Sequence, residues 1–222
     1  MRLKPATFFL LLLAAPAFSQ TADEILDKHI AALGGAGKLA AVKTVYFERT
    51  AKVKLLKIPA SVTVRVGKAS FTEFSLLGIK TTITVTPEES WEVIGSNPPK
   101  KVKEKEHKQL VAGLNPFGPL YGARLQGEKV ELIGKETLDK TDVFHLKVTD
   151  KDNEATDVFV DAGTYLIKAI KNDYIESELS DYRQIEGIPF AFETENEKPK
   201  GKATVHVVKL NPDVQDTLFM RP

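Results

Sequence analysis

The sequence contains no cysteine. This absence excludes disulfide bonds, thiolate metal sites and a lipid anchor on an N-terminal cysteine. A protein without covalent cross-links must be stable through packing and hydrogen bonding alone. We therefore expect a domain with a substantial apolar core.

The sequence also lacks an excess of charge of one sign. It has 31 lysines and arginines against 30 aspartates and glutamates. Removing Arg2 and Lys4, which belong to the leader described next, takes the basic count from 31 to 29. Nucleic-acid-binding proteins concentrate basic residues on one face. A charge balance near zero therefore predicts no nucleic-acid partner.

Long apolar runs are missing beyond the first twenty residues. Residues 8–15 are apolar, follow the basic Arg2 and Lys4, and precede Ala17-Phe18-Ser19. This order is typical of a signal peptide, cleaved here before Gln20. The run is too short to span a bilayer, which needs roughly 20 residues. We expect residues 1–19 to be the signal peptide, and residues 20–222 to form one soluble, monomeric periplasmic domain without a lipid anchor.

A catalytic or metal-binding pattern is missing as well. There is no G-x-S-x-G motif, so a serine nucleophile has no recognisable setting. The stretch 34–38 lacks the spacing of a phosphate-binding loop, and 150–161 lacks the glycine and the last glutamate of a calcium loop. We expect no enzyme, no cofactor and no metal site. Four histidines without metal-ligand spacing complete this picture: His29, His107, His145 and His206.

What the sequence does contain is strand after strand from about residue 42 to residue 210. Apolar and polar residues alternate along the first of them, with Val45, Phe47 and Ala51 on one face and Tyr46 and Glu48 on the other. Alternation with a period of two indicates a sheet with one apolar and one polar face. Such an apolar face needs an apolar partner, and that need is the main functional clue.

Two helices are predicted besides the strands, one before them and one in the middle. Thr21 and Glu24 form a capping box before a helix that ends at Gly34-Gly35. Residues 101–114 show no alternation and are interpreted as a helix, followed by an irregular loop at 115–119. About ten strands with short connections favour antiparallel hairpins, because parallel crossovers need a dozen or more residues. The segment 110–121 is interpreted either as a mobile cover or as a surface loop.

Several stretches taken together resemble the periplasmic lipoprotein-sorting (LolA-like) superfamily, in its broad outer-membrane branch. The similarity extends over essentially the whole chain after the leader. It rests on the order and spacing of short motifs rather than on any one of them. These motifs are Ala-Leu-Gly-Gly at 32–35, the segments 130–136, 144–148 and 160–166, Ser-Asp-Tyr-Arg at 180–183 with Gly-Ile-Pro-Phe at 187–190, and the ending 210–222.

The resemblance implies a mainly β fold. The expected sheet is a strongly curved antiparallel one, an unclosed barrel of ten to eleven strands, with a few helices over its concave face. It also implies that acyl chains of a lipid or lipoprotein lie in the hollow and are moved between membranes. The residues expected to line the cavity are Phe47, Val62, Val64, Val66, Ile83, Val85, Trp91, Phe190 and Phe192.

Each of these residues has an alternative role, since core and cavity share the same composition. Any of them can simply pack against the helices. Arg49 falls on the apolar side of its strand by parity. It is interpreted either as a rim residue with a hydrated charge or as a polar group at the cavity mouth.

Three functions remain open. The first is a soluble periplasmic carrier for acyl chains, and the second is a non-enzymatic envelope stress sensor or interaction module on the same fold. The third is a hydrolase with an unrecognised site. Transient contact with a membrane surface or receptor is a further expectation. This expectation rests on five lysines in or just before the predicted middle helix: Lys100, Lys101, Lys103, Lys105 and Lys108.

Overall fold

The structure is a computed structural model that describes residues 20–198 and 200–222, without the side chain at 198. The expected signal peptide lies outside the described residues. Thirteen antiparallel strands form one sheet in the order β6-β5-β4-β3-β2-β1-β13-β12-β11-β10-β9-β8-β7. The strands are β1 Thr44–Val53, β2 Leu56–Arg65, β3 Ala69–Leu76, β4 Ile79–Val85, β5 Ser90–Ile94, β6 Lys100–Lys101, β7 Lys129–Leu138, β8 Thr141–Thr149, β9 Ala155–Asp161, β10 Ile167–Lys171, β11 Glu176–Ile185, β12 Ile188–Lys198 and β13 Lys200–Leu210.

The sheet does not close, because β6 and β7 are its two free edges. This confirms the expected mainly β, unclosed architecture. The expected count of ten to eleven strands was too low. β6, with two residues, carries too few alternating positions to be recognised from the sequence.

Four helices and one 3-10 turn accompany the sheet. They are α1 Ala22–Ala32, α2 Ala36–Ala41, α3 Glu104–Ala112, α4 Pro119–Gln126 and the turn Asp216–Phe219. The capping box of α1 is confirmed: the Thr21 hydroxyl accepts from the Glu24 amide, and the Glu24 carboxylate accepts from the Thr21 amide. None of the helices in the described residues is long and apolar enough to span a membrane.

Helix α4 was not foreseen. Residues 115–118 form the expected loop, but the two turns of helix that begin at Pro119 were not predicted. Pro119 stands at the start of the helix, where its missing amide costs nothing, and Gly127 ends it in the left-handed conformation. The helix is too short to show an apolar repeat, so only these two terminal residues signalled it.

The core lies between the helices and the concave face of β7 to β13. Helices α1, α2 and α4 supply Ile25, Leu39 and Leu120, each almost completely buried, and the sheet supplies residues such as Leu146 and Ile188. Helix α1 contacts β7 and α4, and α4 contacts β7 and β8. Alternation along the strands turns their apolar side chains toward these helices, which fill this half of the hollow.

Candidate functional site

Strand register places five of the nine expected cavity residues on one face of β1 to β4. Phe47, Val62 and Ile83 belong to one row of paired residues, and Val64 and Val85 to the next row. We call this the inner face, because Phe47 contacts Phe190 at 5.9 Å between ring centroids. Phe190 in turn contacts Phe117, which precedes α4, at 6.0 Å.

Part of the inner face is filled by the protein itself. Val64 and Val85 are only 2% exposed. Phe190 and Phe192 belong to the buried cluster under the helices, with Phe47 packed against it. Val62, at 9% exposure, is buried as well. The alternative role of packing against the helices fits Phe190 and Phe192, which belong to that cluster.

The inner face stays uncovered nearer the β1–β2 and β3–β4 turns. Its residues there are joined by strand pairs such as Ala51–Ile58 and Ala60–Phe74. We name this region the open inner face. It consists of Arg49, Ala51, Val53, Leu56, Ile58, Ala60, Phe74, Leu76, Ile79 and Ile94, none of which is buried. Nine of these ten residues are apolar, so the open inner face is an apolar surface that the rest of the described chain does not bury.

Arg49 is the charged member of the open inner face. Its strand neighbours are Ala60 and Val205, and Phe74 follows in the same row. Arg49 keeps part of its surface exposed to solvent, and apolar residues flank it in the sheet. Partial desolvation by these neighbours lowers the pKa of the guanidinium, and no carboxylate offsets this effect. Within the described residues Arg49 takes part in no ion pair, so its charge is available to a ligand.

Trp91 does not join the other expected cavity residues. It pairs with Thr84, whereas the adjacent residue Ser90 pairs with Val85 on the inner face. Adjacent residues of a strand point to opposite faces of the sheet. Its ring therefore faces the outer side, where the guanidinium of Arg221 lies 3.9 Å from the ring centroid. The register thus separates Trp91 from the other expected cavity residues, and its neighbours in the sequence do not show which face of β5 is covered.

Val66 lies just beyond β2 and lines a different space. A pocket of about 360 Å³ opens between α2, α4 and this turn. Tyr121 and Leu125 contribute apolar walls, while Lys43 and Lys68 contribute charge. This pocket is open and lies at the opposite end of β2 from Leu56, so it is separate from the open inner face.

Helix α3 links the two halves of the sheet. His107 Nε2 donates to the Pro87 carbonyl at 3.2 Å, so its Nδ1 accepts from the Ser90 hydroxyl at 2.8 Å. On the other half, Lys108 Nζ lies 2.7 Å from Glu154 and 3.6 Å from Asp152. The hydrogen bond that Lys108 donates to the Glu154 carboxylate raises the pKa of Lys108. Only His107 of α3 is buried, so polar contacts rather than apolar packing hold this helix in place.

The five lysines that suggested membrane contact do not form one free group, because three of them contact other residues of the protein. Lys101 pairs with Glu89 at 3.3 Å, Lys105 lies over the Tyr174 ring at 5.5 Å, and Lys108 is paired as described. Lys100 and Lys101 lie in β6 rather than in the helix. The run is therefore neither a single face nor a free cluster of charge.

The structure shows no set of three or more histidine, aspartate or glutamate side chains placed to hold a metal ion in the described residues. His145 lies between two carboxylates, with Nδ1 2.7 Å from Glu136 and Nε2 2.9 Å from Asp157. Its ring stacks on Phe159 at 4.5 Å on the outer side of the sheet. We interpret this cluster as a surface contact between β7, β8 and β9.

His29 is a buried residue of α1, and its burial makes stability depend on pH. Its Nδ1 donates to the Tyr165 carbonyl at 2.7 Å, whereas Nε2 has no partner among the described residues. Burial lowers the pKa of His29 below 6.5, against the opposing effect of the Tyr165 hydrogen bond. The unfolded chain therefore binds a proton more readily, and stability should fall below pH 6.5, by at most about 1.4 kcal/mol per pH unit.

Urea unfolding between pH 7.5 and pH 5 measures this effect. We expect the free energy of unfolding to vary less with pH in His29→Gln than in the unchanged chain. His206→Gln, at an exposed position, is the control and should keep the pH dependence of the unchanged chain. Equal slopes for the unchanged chain and His29→Gln would show that His29 does not couple folding to pH.

No protein-family model and no curated protein matches this sequence. Solved structures do match it. A DUF1329 family protein from Desulfovibrio piger has a TM-score of 0.65 at 12% identity, over 91% of this chain and 98% of the other. A LolA superfamily protein from Nitrosomonas europaea has a TM-score of 0.62 at 14% identity, over 91% and 99%. The chain has the LolA-like fold.

A third structure with this fold is a putative outer-membrane lipoprotein-sorting protein domain from Vibrio parahaemolyticus. Its TM-score is 0.59 at 12% identity, over 88% of this chain and 94% of the other. The LolA-like fold expected from the sequence motifs is thereby confirmed. At these identities the likeness concerns the fold alone, so function must be argued from this chain's own open inner face.

Proposed function

We propose that the chain is a non-enzymatic periplasmic carrier that binds acyl chains of a lipid or lipoprotein on the open inner face. The observation that supports this proposal most directly is the set of nine apolar residues that the helices leave uncovered inside the curved sheet. Soluble proteins seldom leave a large contiguous apolar surface without a partner. A flexible acyl chain can make more contacts with a concave surface of this kind than with a flat surface.

The energetics suit a carrier. Removing an acyl chain from water gains about 0.8 kcal/mol per methylene, so a sixteen-carbon chain gains on the order of 12 kcal/mol. Leaving a membrane costs a similar amount. The net free energy of moving the acyl chain from a membrane to the carrier is therefore close to zero. A partly open apolar face is sufficient for such a transfer.

Arg49 gives the proposed ligand an orientation. A guanidinium without a carboxylate partner can donate to ester carbonyl, carboxylate or phosphate oxygens. An acyl chain along Ile58, Ala60 and Phe74 would bring its polar head to Arg49.

The test is the binding of a fluorescent fatty acid, followed by competition with phospholipid. We expect Ile58→Glu to weaken binding by about tenfold to a hundredfold, because a carboxylate would have to be buried against the acyl chain. Val93→Glu is the matched control, since Val93 is a half-buried valine on the outer side of β5. Native mass spectrometry of chain purified from its own envelope should show bound lipid.

Equal affinities for Ile58→Glu and the unchanged chain would contradict the proposal. A chain that carries no lipid but copurifies with a stable protein partner would instead favour the envelope sensor or interaction module. Turnover of an ester or glycosidic substrate would favour the hydrolase. The three functions therefore predict three different results: bound lipid, a bound protein partner, or turnover of a substrate.

A further inference from the structure

Exposed apolar side chains are concentrated at one end of the molecule. Of the nine large apolar residues that are exposed in the described part of the chain, six lie at or beside the β1–β2 turn, the β3–β4 turn and the end of β5. These six are Val53, Leu55, Leu56, Leu77, Ile79 and Ile94. We call them the tip surface. It is continuous with the open inner face, because four of its residues belong to both.

The two turns project leucines that the fold does not need. Leu55 is 96% exposed and Leu77 is 87% exposed. Leu77 has φ +52° and Gly78 has φ +81°, so both central residues of the β3–β4 turn are left-handed. Asparagine or aspartate before glycine is the favoured pair for such a turn, and leucine is strained there. Strain combined with exposure indicates that Leu77 serves something other than folding.

Lysines surround the tip surface. Lys57 pairs with Lys52 across β1 and β2, and Lys52 pairs with Lys202 across β1 and β13. Like charges directly opposite one another destabilise a sheet. Lys52, Lys54 and Lys57 are exposed and take part in no ion pair among the described residues. The stretch 52–58 contains no acidic residue, so the β1–β2 turn carries positive charge that no ion pair among the described residues neutralises.

We propose that the tip surface docks onto an anionic lipid bilayer. Leu55 and Leu77 enter the interfacial region, and Lys52, Lys54 and Lys57 contact the phosphate groups around them. Apolar residues at a projecting tip with basic residues behind them suit such a surface, since each basic residue near it adds to binding. The proposal goes beyond the carrier function and does not depend on it. Docking would nevertheless place the open inner face against the membrane.

The experiment is cosedimentation of the purified chain with vesicles of phosphatidylcholine, with or without phosphatidylglycerol. We expect binding to the anionic vesicles that weakens as salt rises. The double variant Leu55→Ser, Leu77→Ser should lower the partition by at least about tenfold. Neutralising Lys54 and Lys57 to glutamine should lower it about fivefold per residue. Ile133→Ser, at an exposed isoleucine far from the tips on β7, is the matched control and should change nothing.

Leu77→Asn separates docking from folding. Asparagine relieves the strain at this turn, so the melting temperature should stay the same or rise, while vesicle binding falls. The outcome that overturns the proposal is an unchanged partition for the double leucine variant, or no binding of the unchanged chain to anionic vesicles. Binding of the fluorescent fatty acid in solution should survive in these variants, so failure of docking and failure of the carrier function are distinguishable.

Discussion

Gly34→Ala is expected to destabilise the protein by about 2–5 kcal/mol, from backbone strain together with a steric clash. Gly34 has φ +101° after the end of α1, and a Cβ built there would lie 2.6 Å from the carbonyl oxygen of Gly187. That oxygen belongs to the turn between β11 and β12, and Lys38 donates to it at 3.3 Å. Neither backbone can move without separating the α1–α2 corner from the sheet.

Two neighbouring glycines make the experiment internally controlled. Gly35 has φ +92° but nothing within 4 Å of a built Cβ, so Gly35→Ala should show strain without the clash. Gly37 lies inside α2 with open space around it, and Gly37→Ala should be neutral or stabilise by up to about 1 kcal/mol. Urea unfolding of the three variants should give that order. A Gly34→Ala variant as stable as Gly35→Ala would show that the contact with Gly187 yields easily.

Phe190→Ala is expected to cost about 3–5 kcal/mol, because it removes a large buried side chain and leaves a cavity. Phe190 is 5% exposed and contacts the rings of Phe47 and Phe117. It thereby joins the inner face of β1 to the segment that leads into α4. Its loss should loosen the boundary between the filled part of the hollow and the open inner face.

Phe159→Ala is the control for this prediction. Phe159 lies in the same sheet, but it is half-buried on the outer side, where it stacks on His145. We expect a loss of only about 1 kcal/mol there, since most of the cost at a core site comes from the cavity. Guanidinium unfolding should show equal m-values for both variants with different midpoints. Similar losses at the two positions would mean that Phe190 is not a central core residue.

The sequence predicted the elements with the clearest local signals. The capping box at Thr21 and Glu24 marked the start of α1, and the break at Gly34 marked its end. Alternation assigned Phe47, Val62 and Ile83 to one face, and the observed register brings them into one row. These signals are local because hydrogen bonding at a helix end and the period of a strand involve residues close in sequence.

Other features gave little local signal. Helix α4 has only Pro119 and Gly127 to mark it, and β6 has two residues. Phe74 was missed as part of the open inner face because 71–77 alternates poorly. Leu55 and Leu77 were missed as a surface because they are 22 positions apart in the chain and come to the same end of the sheet only when the two hairpins pair.

The sequence by itself determined that this protein is a largely antiparallel sheet with one apolar face and a capped helix before it. Only the tertiary structure decided which part of that face the helices cover, so that Val64 is core while Ile58 stays open. It also decided that Trp91 lies on the outer side and that α3 links Ser90 to Glu154. The reason is physical: alternation depends on neighbours along the chain, whereas coverage depends on segments that pack from far away.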